Sequence, residues 1–261
     1  MIKKSGMDKE EKAPIGLIAA MPGERDALLR LVGPWQQVAL ESLRGYSFKI
    51  SEQECVLVTS GMGIRRAHDA TRRLVDRISP GLLISFGIAG AVEADLEIGD
   101  VVLSNAFIEL NQGVTGPVMP LAAWPDGAQG AAEKALASRR AHLFTGTAIT
   151  TGGSQVSADR LGGLAHPVLE METVGIARVA LDRGIPLLSL RAISDGPRAP
   201  IPIDLGEVMD ENANLIAGKL LKAILHNPRI LVQSRRMLRN SRLAADNAAK
   251  ALVAVMSNTS F

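Results

Sequence analysis

The sequence predicts a three-layer α/β/α sandwich with a central twisted mixed sheet, and three observations favour this fold class. Strand-like apolar runs alternate with helical patterns along most of the 261 residues, which is the order that an α/β sheet needs. Apolar residues make up 47% of the chain but aromatic residues only 3%, so the core is expected to be aliphatic. Many of the 25 glycines stand beside strand-like runs, where tight turns follow. One large domain suits this length.

The first half of the chain shows the alternation most clearly. An apolar strand over 13–20 precedes a turn at 21–24 and a helix over 25–32. Residues 64–78 are predicted to form an amphipathic helix, because apolar residues recur there at helical spacing among arginines. The other strands of this half are predicted at 46–50, 54–59, 82–86 and 100–104.

The second half is interrupted by one irregular stretch. Residues 111–130 are rich in Gly and Pro, which predicts a long surface loop over a site. A strand–helix–strand unit is predicted from 168 to 190, between a strand over 143–150 and a helix over 205–225. Asn227-Pro228 has the pattern of a helix start and opens a last helix that reaches about residue 256. A helix over 133–140 completes the predicted elements.

Several kinds of site are excluded by what the sequence lacks. Cys55 is the only cysteine, so a buried structural thiol in a reducing compartment is favoured over a disulfide. The four histidines have no ligand spacing, which argues against zinc. No P-loop or Gly-x-Ser-x-Gly elbow is present, and 60–63 (SGMG) has too few glycines for a dinucleotide fingerprint. No metal and no cofactor is therefore expected.

The amino-terminal residues 1–12 are polar and lack the apolar core of a secretory signal. The longest apolar region, near 82–92, is too short and too rich in glycine to span a bilayer. A soluble, cytoplasmic protein is expected.

Charged residues stand at the ends of the strand-like runs. Glu24, Glu172, Arg191 and Asp195 each follow or end such a run, and ligand sites of open α/β sheets gather at strand ends. A carboxylate pair can divide acid and base roles when its surroundings separate the two pKa values, and an arginine can hold an anion or orient a water. For each residue taken alone, a helix cap or an ion pair is an equally simple explanation.

Five segments, in order, resemble the nucleoside phosphorylase/nucleosidase superfamily and, within it, the methylthioadenosine/S-adenosylhomocysteine nucleosidases. The matching segments are IGLIAAMPGE (15–24), SGMG (60–63), FGIAG (86–90) with GDV (99–101), EME (170–172) and RAISD (191–195). The glycine turns alone are weak signals, but EME followed by RAISD at this spacing is fairly specific. The resemblance predicts a nucleoside phosphorylase-like catalytic domain at 13–225, and the composition predicts a flexible tail at 1–12 and a basic helical extension at 226–261.

The resemblance implies a role for each matching residue. Glu172 accepts hydrogen bonds from the ribose hydroxyls, with Met171 packed against the sugar. Asp195 protonates or hydrogen-bonds the purine N7, Glu24 activates a water for attack at the anomeric carbon, and Arg191 helps to hold that water. The remaining residues of the implied substrate-binding set are Ile88, Ala89, Gly90, Gln155, Val156 and Ser194.

Two departures from the family pattern concern the nucleophile and the base. Ile88 stands where related phosphorylases and nucleosidases carry a hydroxyl side chain, and Glu24 would repel a neighbouring phosphate, so hydrolysis is favoured over phosphorolysis. Gln155 and Val156 stand where the nucleosidases place an aromatic residue on adenine. The expected function is cleavage of a purine nucleoside, a 5′-modified adenosine in the first instance. The alternatives are a phosphate-dependent phosphorylase and a non-catalytic nucleoside-binding protein.

The carboxyl-terminal segment is strongly basic. From residue 219 onward it holds eight Lys or Arg and one acid, in a chain whose net charge is +2. The simpler interpretation is a surface helix that packs on the domain or on a second subunit. The more specific interpretation is a helix that is attracted to anionic lipid headgroups. Nucleic acid is not expected, because aromatic residues for stacking are missing nearby. FGIAG and the extended last helix also loosely resemble the hopanoid-associated nucleosidases, which release adenine from an adenosylated hopanoid. A homodimer is expected by analogy with the family.

Overall fold

The part of the chain that the structure describes contains a central sheet of eleven strands. The structure is a computed structural model that describes residues 12–111, 113–152, 161, 163–199, 229–259 and 261. In chain order the strands are β1 (Ile15–Ala19), β2 (Gln36–Leu40), β3 (Leu43–Ile50), β4 (Gln53–Thr59), β5 (Leu82–Ala91), β6 (Val101–Asn111), β7 (Val114–Thr115), β8 (Met119–Pro120), β9 (Leu143–Thr151), β10 (Val168–Glu170) and β11 (Leu187–Asp195).

The strand order brings the predicted site residues to one edge of the sheet. The order is β10-β9-β6-β11-β5-β1-β4-β3-β2, and β7 and β8 pair with β6. Strands β4, β1, β5 and β11 run parallel, whereas β6 runs antiparallel to β11. Strand β10 pairs with β9 and also with the end of β5. Strands β5, β11, β6, β9 and β10 therefore close into a ring beside the open part of the sheet.

Helices cover both faces of this sheet. The described helices are α1 (Pro22–Leu29), α2 (Ile64–Ile78), α3 (Ala128–Leu136), α4 (Thr173–Arg183) and α5 (Arg229–Asn258). Helices α1, α3 and α5 bury aliphatic side chains against one face, and α2 and α4 bury theirs against the other. The predicted three-layer sandwich is confirmed. None of the helices in the described ranges combines the length and the apolar character needed to cross a membrane.

Helix α5 has a buried half and an exposed half. Its later residues, from Ala244 to Met256, contribute small and aliphatic side chains to the core. Asn247 donates a 2.8 Å hydrogen bond to the carbonyl of Gly99, which fixes the helix to the turn before β6. The earlier residues include four arginines at 235, 236, 239 and 242, all exposed. The helix is thus mostly buried over 244–256 and more exposed over 235–243.

Strands β5 and β6 run past their predicted ends at residues 86 and 104, and α3 spans Ala128–Leu136 instead of 133–140. Apart from these shifted bounds, the structure differs from the sequence-based expectation in three places. Helix α1 begins at Pro22, where a turn was predicted, because Pro fits the first helical turn and Glu24 closes a capping arrangement with Met21. Strand β2 was not predicted and forms the outer edge of the sheet by pairing with β3.

The third difference is the stretch 111–130, which is not irregular throughout. Strands β7 and β8 pair with the part of β6 that extends past β11, where backbone groups of β6 need partners. Ala122 N donates to Leu187 O at 3.0 Å, at the start of β11. Ala122 therefore lies at the opposite end of β11 from Asp195.

Candidate active site

The first carboxylate of the site is Glu24, in the first turn of α1 directly after β1. Its Oε2 accepts a 2.8 Å hydrogen bond from Met21 N, and its Oε1 accepts a 2.9 Å hydrogen bond from Ile88 N. Gly87 allows this close approach, because a Cβ atom there would lie 2.8 Å from Glu24 Cδ. Burial raises the pKa of Glu24, and the two N–H groups and the charge of Arg191 act against it. A carboxylate with a raised pKa is suited to accept a proton near neutral pH.

The second carboxylate is Glu172, the N-cap residue of α4. Its Oε1 accepts a 3.0 Å hydrogen bond from Gly63 N, and its Oε2 accepts a 3.3 Å hydrogen bond from Met171 N. Burial, and then the charge of Glu170, raise the pKa of Glu172 to about 8, while Arg191 acts against them. Hydroxyl groups that donate to this carboxylate would favour its ionised form.

A buried ion pair between Arg191 and Glu170 acts on the two glutamates described above. Arg191 is 2% exposed, and its Nη2 lies 2.8 Å from Glu170 Oε2, 2.6 Å from Ser85 Oγ and 3.1 Å from Thr173 Oγ1. The Thr150 hydroxyl donates to the other oxygen of Glu170. Burial alone would raise the pKa of Glu170, but Arg191 and the hydrogen-bond donors hold it below its ordinary value. The role of Arg191 in holding a water stays a prediction, since these hydrogen bonds go to the protein.

The third carboxylate is Asp195, at the end of β11. A register shift between Ile193 and Asp195 turns this end of the strand, as β-bulges do. Ser194 Oγ donates a 2.6 Å hydrogen bond to Asp195 Oδ1 and lies 3.3 Å from the carbonyl of Ala89. A Cβ atom at Gly90 would lie 2.7 Å from Asp195 Oδ2. Burial raises the pKa of Asp195, and the Ser194 hydroxyl acts against it.

A cavity of about 270 Å³ opens beside Asp195. Arg198 and Glu97 form an ion pair at its wall, with 3.3 Å between Nη1 and Oε1. Arg236, from the exposed half of α5, also contributes to the wall. Leu96, Ile98, Gly196 and Ala199 complete the lining. The basic part of α5 therefore lies at the same edge of the sheet as the carboxylates.

Most of the residues predicted for the site lie together in the structure. Strand β5 connects them, because the backbone of Ile88 contacts Glu24 while Ala89 and Gly90 border Asp195. Met171 lies between the two glutamates of the EME segment. Gln155 and Val156 lie outside the described residues, and so do the predicted helix over 205–225 and the pair Asn227-Pro228.

The sequence did not identify the residues that support the carboxylates. Glu170 belongs to the quoted EME segment, but nothing in the sequence indicates that it pairs with Arg191. Thr150 and Ser85 are polar residues in apolar strands, and a buried polar residue requires a partner. The sequence therefore indicates that these two residues have hydrogen-bond partners, but it does not identify the partners.

Glu24 and Asp195 lie in different chemical environments. Glu24 is held by two N–H donors, which favour its ionised form, and it is therefore suited to act as a base. Among the described residues, the Ser194 hydroxyl donates to Asp195, which is suited to keep a proton and donate it. Glu172 lies beside Arg191 and Glu170 and offers acceptors to hydroxyl groups.

Comparison with known proteins places the chain in a family. The family model described as the phosphorylase superfamily matches residues 14–226. A 5′-methylthioadenosine/S-adenosylhomocysteine nucleosidase of Listeria welshimeri is 31% identical over 199 residues, which cover 69% of this chain and 85% of that protein. The S-adenosylhomocysteine nucleosidase of Streptococcus pyogenes, solved with 5-methylthiotubericidin, has a TM-score of 0.68 and 20% identity and covers 97% of this chain and 100% of that one. The futalosine hydrolase of Helicobacter pylori has a TM-score of 0.66 and 15% identity, with 95% and 98% covered.

Proposed function

Because the chain belongs to the phosphorylase superfamily, we propose that it is an N-ribosyl hydrolase that cleaves the N-glycosidic bond of a purine nucleoside. The observation that carries this proposal is a pair of carboxylates in different hydrogen-bond environments. Buried Glu24 follows β1 and half-buried Asp195 ends β11, and these two strands flank β5. The substrate that fits the family best is a 5′-modified adenosine, because the relatives are nucleosidases for methylthioadenosine and adenosylhomocysteine.

In the proposed mechanism each carboxylate handles one proton. Glu24 takes a proton from a water as the water oxygen bonds to C1′ of the ribose. Asp195 gives its proton to N7 of the purine as the bond between C1′ and N9 breaks, so that the base leaves neutral. Positive charge develops on the sugar between these events. Glu172, bound to the sugar hydroxyls, supplies negative charge beside it, with Met171 against the sugar.

Water is favoured over phosphate as the nucleophile. Ile88, in β5, offers no side-chain hydroxyl, and its backbone N–H is used by Glu24. A phosphate dianion would meet the carboxylate of Glu24 instead of free donors. The proposal therefore predicts base release in phosphate-free buffer.

The test is a chromatographic assay for free base with methylthioadenosine, adenosylhomocysteine, adenosine and inosine. We expect release without phosphate from the wild-type protein, and loss of at least about 10²-fold in Glu24→Gln and Asp195→Asn. Matched controls are Glu54→Gln and Asp76→Asn, which change exposed carboxylates of surface ion pairs. Release that requires phosphate would reject hydrolysis, and full activity in either site variant would reject its assigned role.

A nucleoside with a long apolar 5′ substituent, as in an adenosylated hopanoid, is the second candidate substrate. It is favoured by the position of α5, whose exposed Arg236 borders the cavity beside Asp195. Leu238 on the same half of the helix is 53% exposed, and basic helices with exposed apolar residues bind anionic lipid surfaces. We propose that this half of α5 contacts a membrane that holds the substrate. Changing Arg235, Arg236 and Arg239 to Glu should abolish sedimentation with anionic vesicles, and a wild-type protein that ignores such vesicles would reject the idea.

We also propose a homodimer in the cytoplasm. Two valines of the β7–β8 region support the dimer, because Val114 is 71% and Val118 is 56% exposed, and exposed apolar side chains in one region favour association. The single buried thiol of Cys55 suits a reducing compartment. Sedimentation velocity tests the first proposal, where a monomer at micromolar concentration would contradict it. Cell fractionation tests the second.

A further inference from the structure

Glu170 is buried at the end of β10, and both of its carboxylate oxygens are used within the protein. Oε2 accepts hydrogen bonds from the backbone N–H groups of Glu172 at 3.0 Å and Thr173 at 2.8 Å, and from Arg191 Nη2 at 2.8 Å. Oε1 accepts from the Thr150 hydroxyl. Because no position on this carboxylate faces solvent, its contacts are fixed by the fold.

These contacts replace the usual cap of α4. An N-cap side chain normally accepts a hydrogen bond from an N–H group of its own first helical turn, but the N-cap residue Glu172 makes no such bond. Glu170 accepts hydrogen bonds from the backbone N–H groups of the N-cap residue and of Thr173. Thr150 Oγ1 accepts a 3.1 Å hydrogen bond from the backbone N–H of Val174. The side chain of Glu172 is therefore free of the helix and directed to the loop before α2, at Gly63.

We propose that Glu170 is a positioning residue for the sugar-binding carboxylate: it caps α4 and neutralises Arg191, which leaves Glu172 free to bind the ribose hydroxyls. This inference rests on the proposed function of Glu172. The capping geometry itself does not depend on which nucleoside the site accepts.

Removing the charge of Glu170 changes the electrostatics at Glu172. Within the described ranges, the charged groups that act on Glu172 are Glu170, Arg191 and Glu24. Glu170 raises the pKa of Glu172, and it also occupies the guanidinium of Arg191. In Glu170→Gln the repulsion is lost and Arg191 becomes a partner for Glu172, so Glu172 ionises at lower pH.

The test compares Glu170→Gln with Glu109→Gln. Glu109 pairs with Arg178 of the same helix α4 at 2.8 Å on its exposed side, so this control removes an ion pair of α4 without a contact at Glu172. We expect Glu170→Gln to lower kcat/KM by about 10²-fold, mainly through KM, as misplaced substrate-orienting groups do. The acid limb of its pH profile should move to lower pH, and Glu109→Gln should match the wild type in both respects. A folded Glu170→Gln with wild-type kcat/KM and pH profile would show that Glu170 serves stability alone.

A milder pair of variants covers the case in which Glu170→Gln does not fold. Thr150→Val removes one donor to Glu170 and the acceptor for Val174, whereas Thr150→Ser keeps a hydroxyl. We expect the Val variant to raise KM and the Ser variant to restore it. Equal KM values in the two variants would overturn the inference.

Hydrogen exchange separates this inference from the proposed function. In the wild type the backbone amides of Glu172 and Thr173 donate hydrogen bonds to Glu170. The amides of segment 171–174 should therefore exchange faster in Glu170→Gln than in Glu109→Gln. If Glu170→Gln is unfolded, Thr150→Val takes its place in this comparison. A wild-type protein that releases no base from any nucleoside would remove the function and leave this result intact. Unchanged exchange in an otherwise active enzyme would remove the positioning role alone.

Discussion

Replacing Gly87 by alanine should displace the carboxylate of Glu24 while leaving the backbone undisturbed. Gly87 does not have a positive φ, so an alanine is allowed there by conformation. Its new Cβ would lie 2.8 Å from Glu24 Cδ, closer still to Oε1 and 3.2 Å from Oε2. The methyl group and the carboxylate cannot occupy these positions together.

The size of the displacement follows from these distances. Ordinary contact begins at 3.4 Å, so the carboxyl carbon must move by at least about 0.6 Å for normal packing. The hydrogen bond from Ile88 N to Oε1 is now 2.9 Å long. If the carboxylate moved by this amount directly away from Ile88 N, the distance would become about 3.5 Å, which is too long for a good hydrogen bond. We expect kcat/KM to fall by about 10²-fold and the free energy of unfolding to fall by about 1–3 kcal/mol.

The assay is phosphate-free base release, with urea unfolding measured on the same preparations. Gly23→Ala is the matched control, since a Cβ atom there meets nothing within 4 Å and alanine is the better helix former by about 1 kcal/mol. It should keep wild-type activity and be at least as stable. A folded Gly87→Ala protein with wild-type kcat/KM would refute the argument that a fixed Glu24 carboxylate performs the chemistry.

Three further predictions concern stability and pH. The pKa of Glu172 is raised to about 8 from 4.5, so its contribution to stability is fully present below 4.5 and lost as pH rises through 8. Glu172→Gln should therefore match the wild type at pH 4 and be the more stable of the two at pH 9, by a few kcal/mol, in urea unfolding. The Ser194 hydroxyl stabilises ionised Asp195, so Ser194→Ala should move the alkaline limb of kcat to higher pH; a limb that stays in place would contradict the acid role. Gly175→Ala would press a Cβ atom onto the backbone of α2 and should cost about 1–3 kcal/mol, whereas Gly130→Ala, with open space around it, should not destabilise the protein.

The local pattern of the sequence was sufficient for most of the elements near the site. The helix predicted at 64–78 has the same bounds in the structure, because a helix with one apolar face carries its period in the sequence. The strands before Glu24 and Glu172 were also predicted, since buried strands are continuous apolar runs. The rule that ligands gather at strand ends then selected the carboxylates without knowledge of the strand order.

Pairings between distant segments were not available in that pattern. Strand β2, with the sequence QQVAL, has neither polar–apolar alternation nor a long apolar run and was missed. Strands β7 and β8 are two residues each, too short for a period. Their pairing depends on how far β6 extends past β11, which is a property of the assembled sheet. The start of α1 was a different case, because Pro22 with Glu24 is a helix-start pattern that was interpreted as a turn.

The sequence by itself was sufficient to predict the fold class and the strand ends at which the three candidate carboxylates lie, because each depends on residues near one another in the chain. Only the tertiary structure decided how these carboxylates differ. Glu172 is joined to Gly63 across 109 positions, Glu24 to Ile88 across 64, and Arg191 to Glu170 through the ring of strands. Burial and partners from other segments set the pKa of each group, and neither can be computed from a carboxylate and its neighbours in sequence.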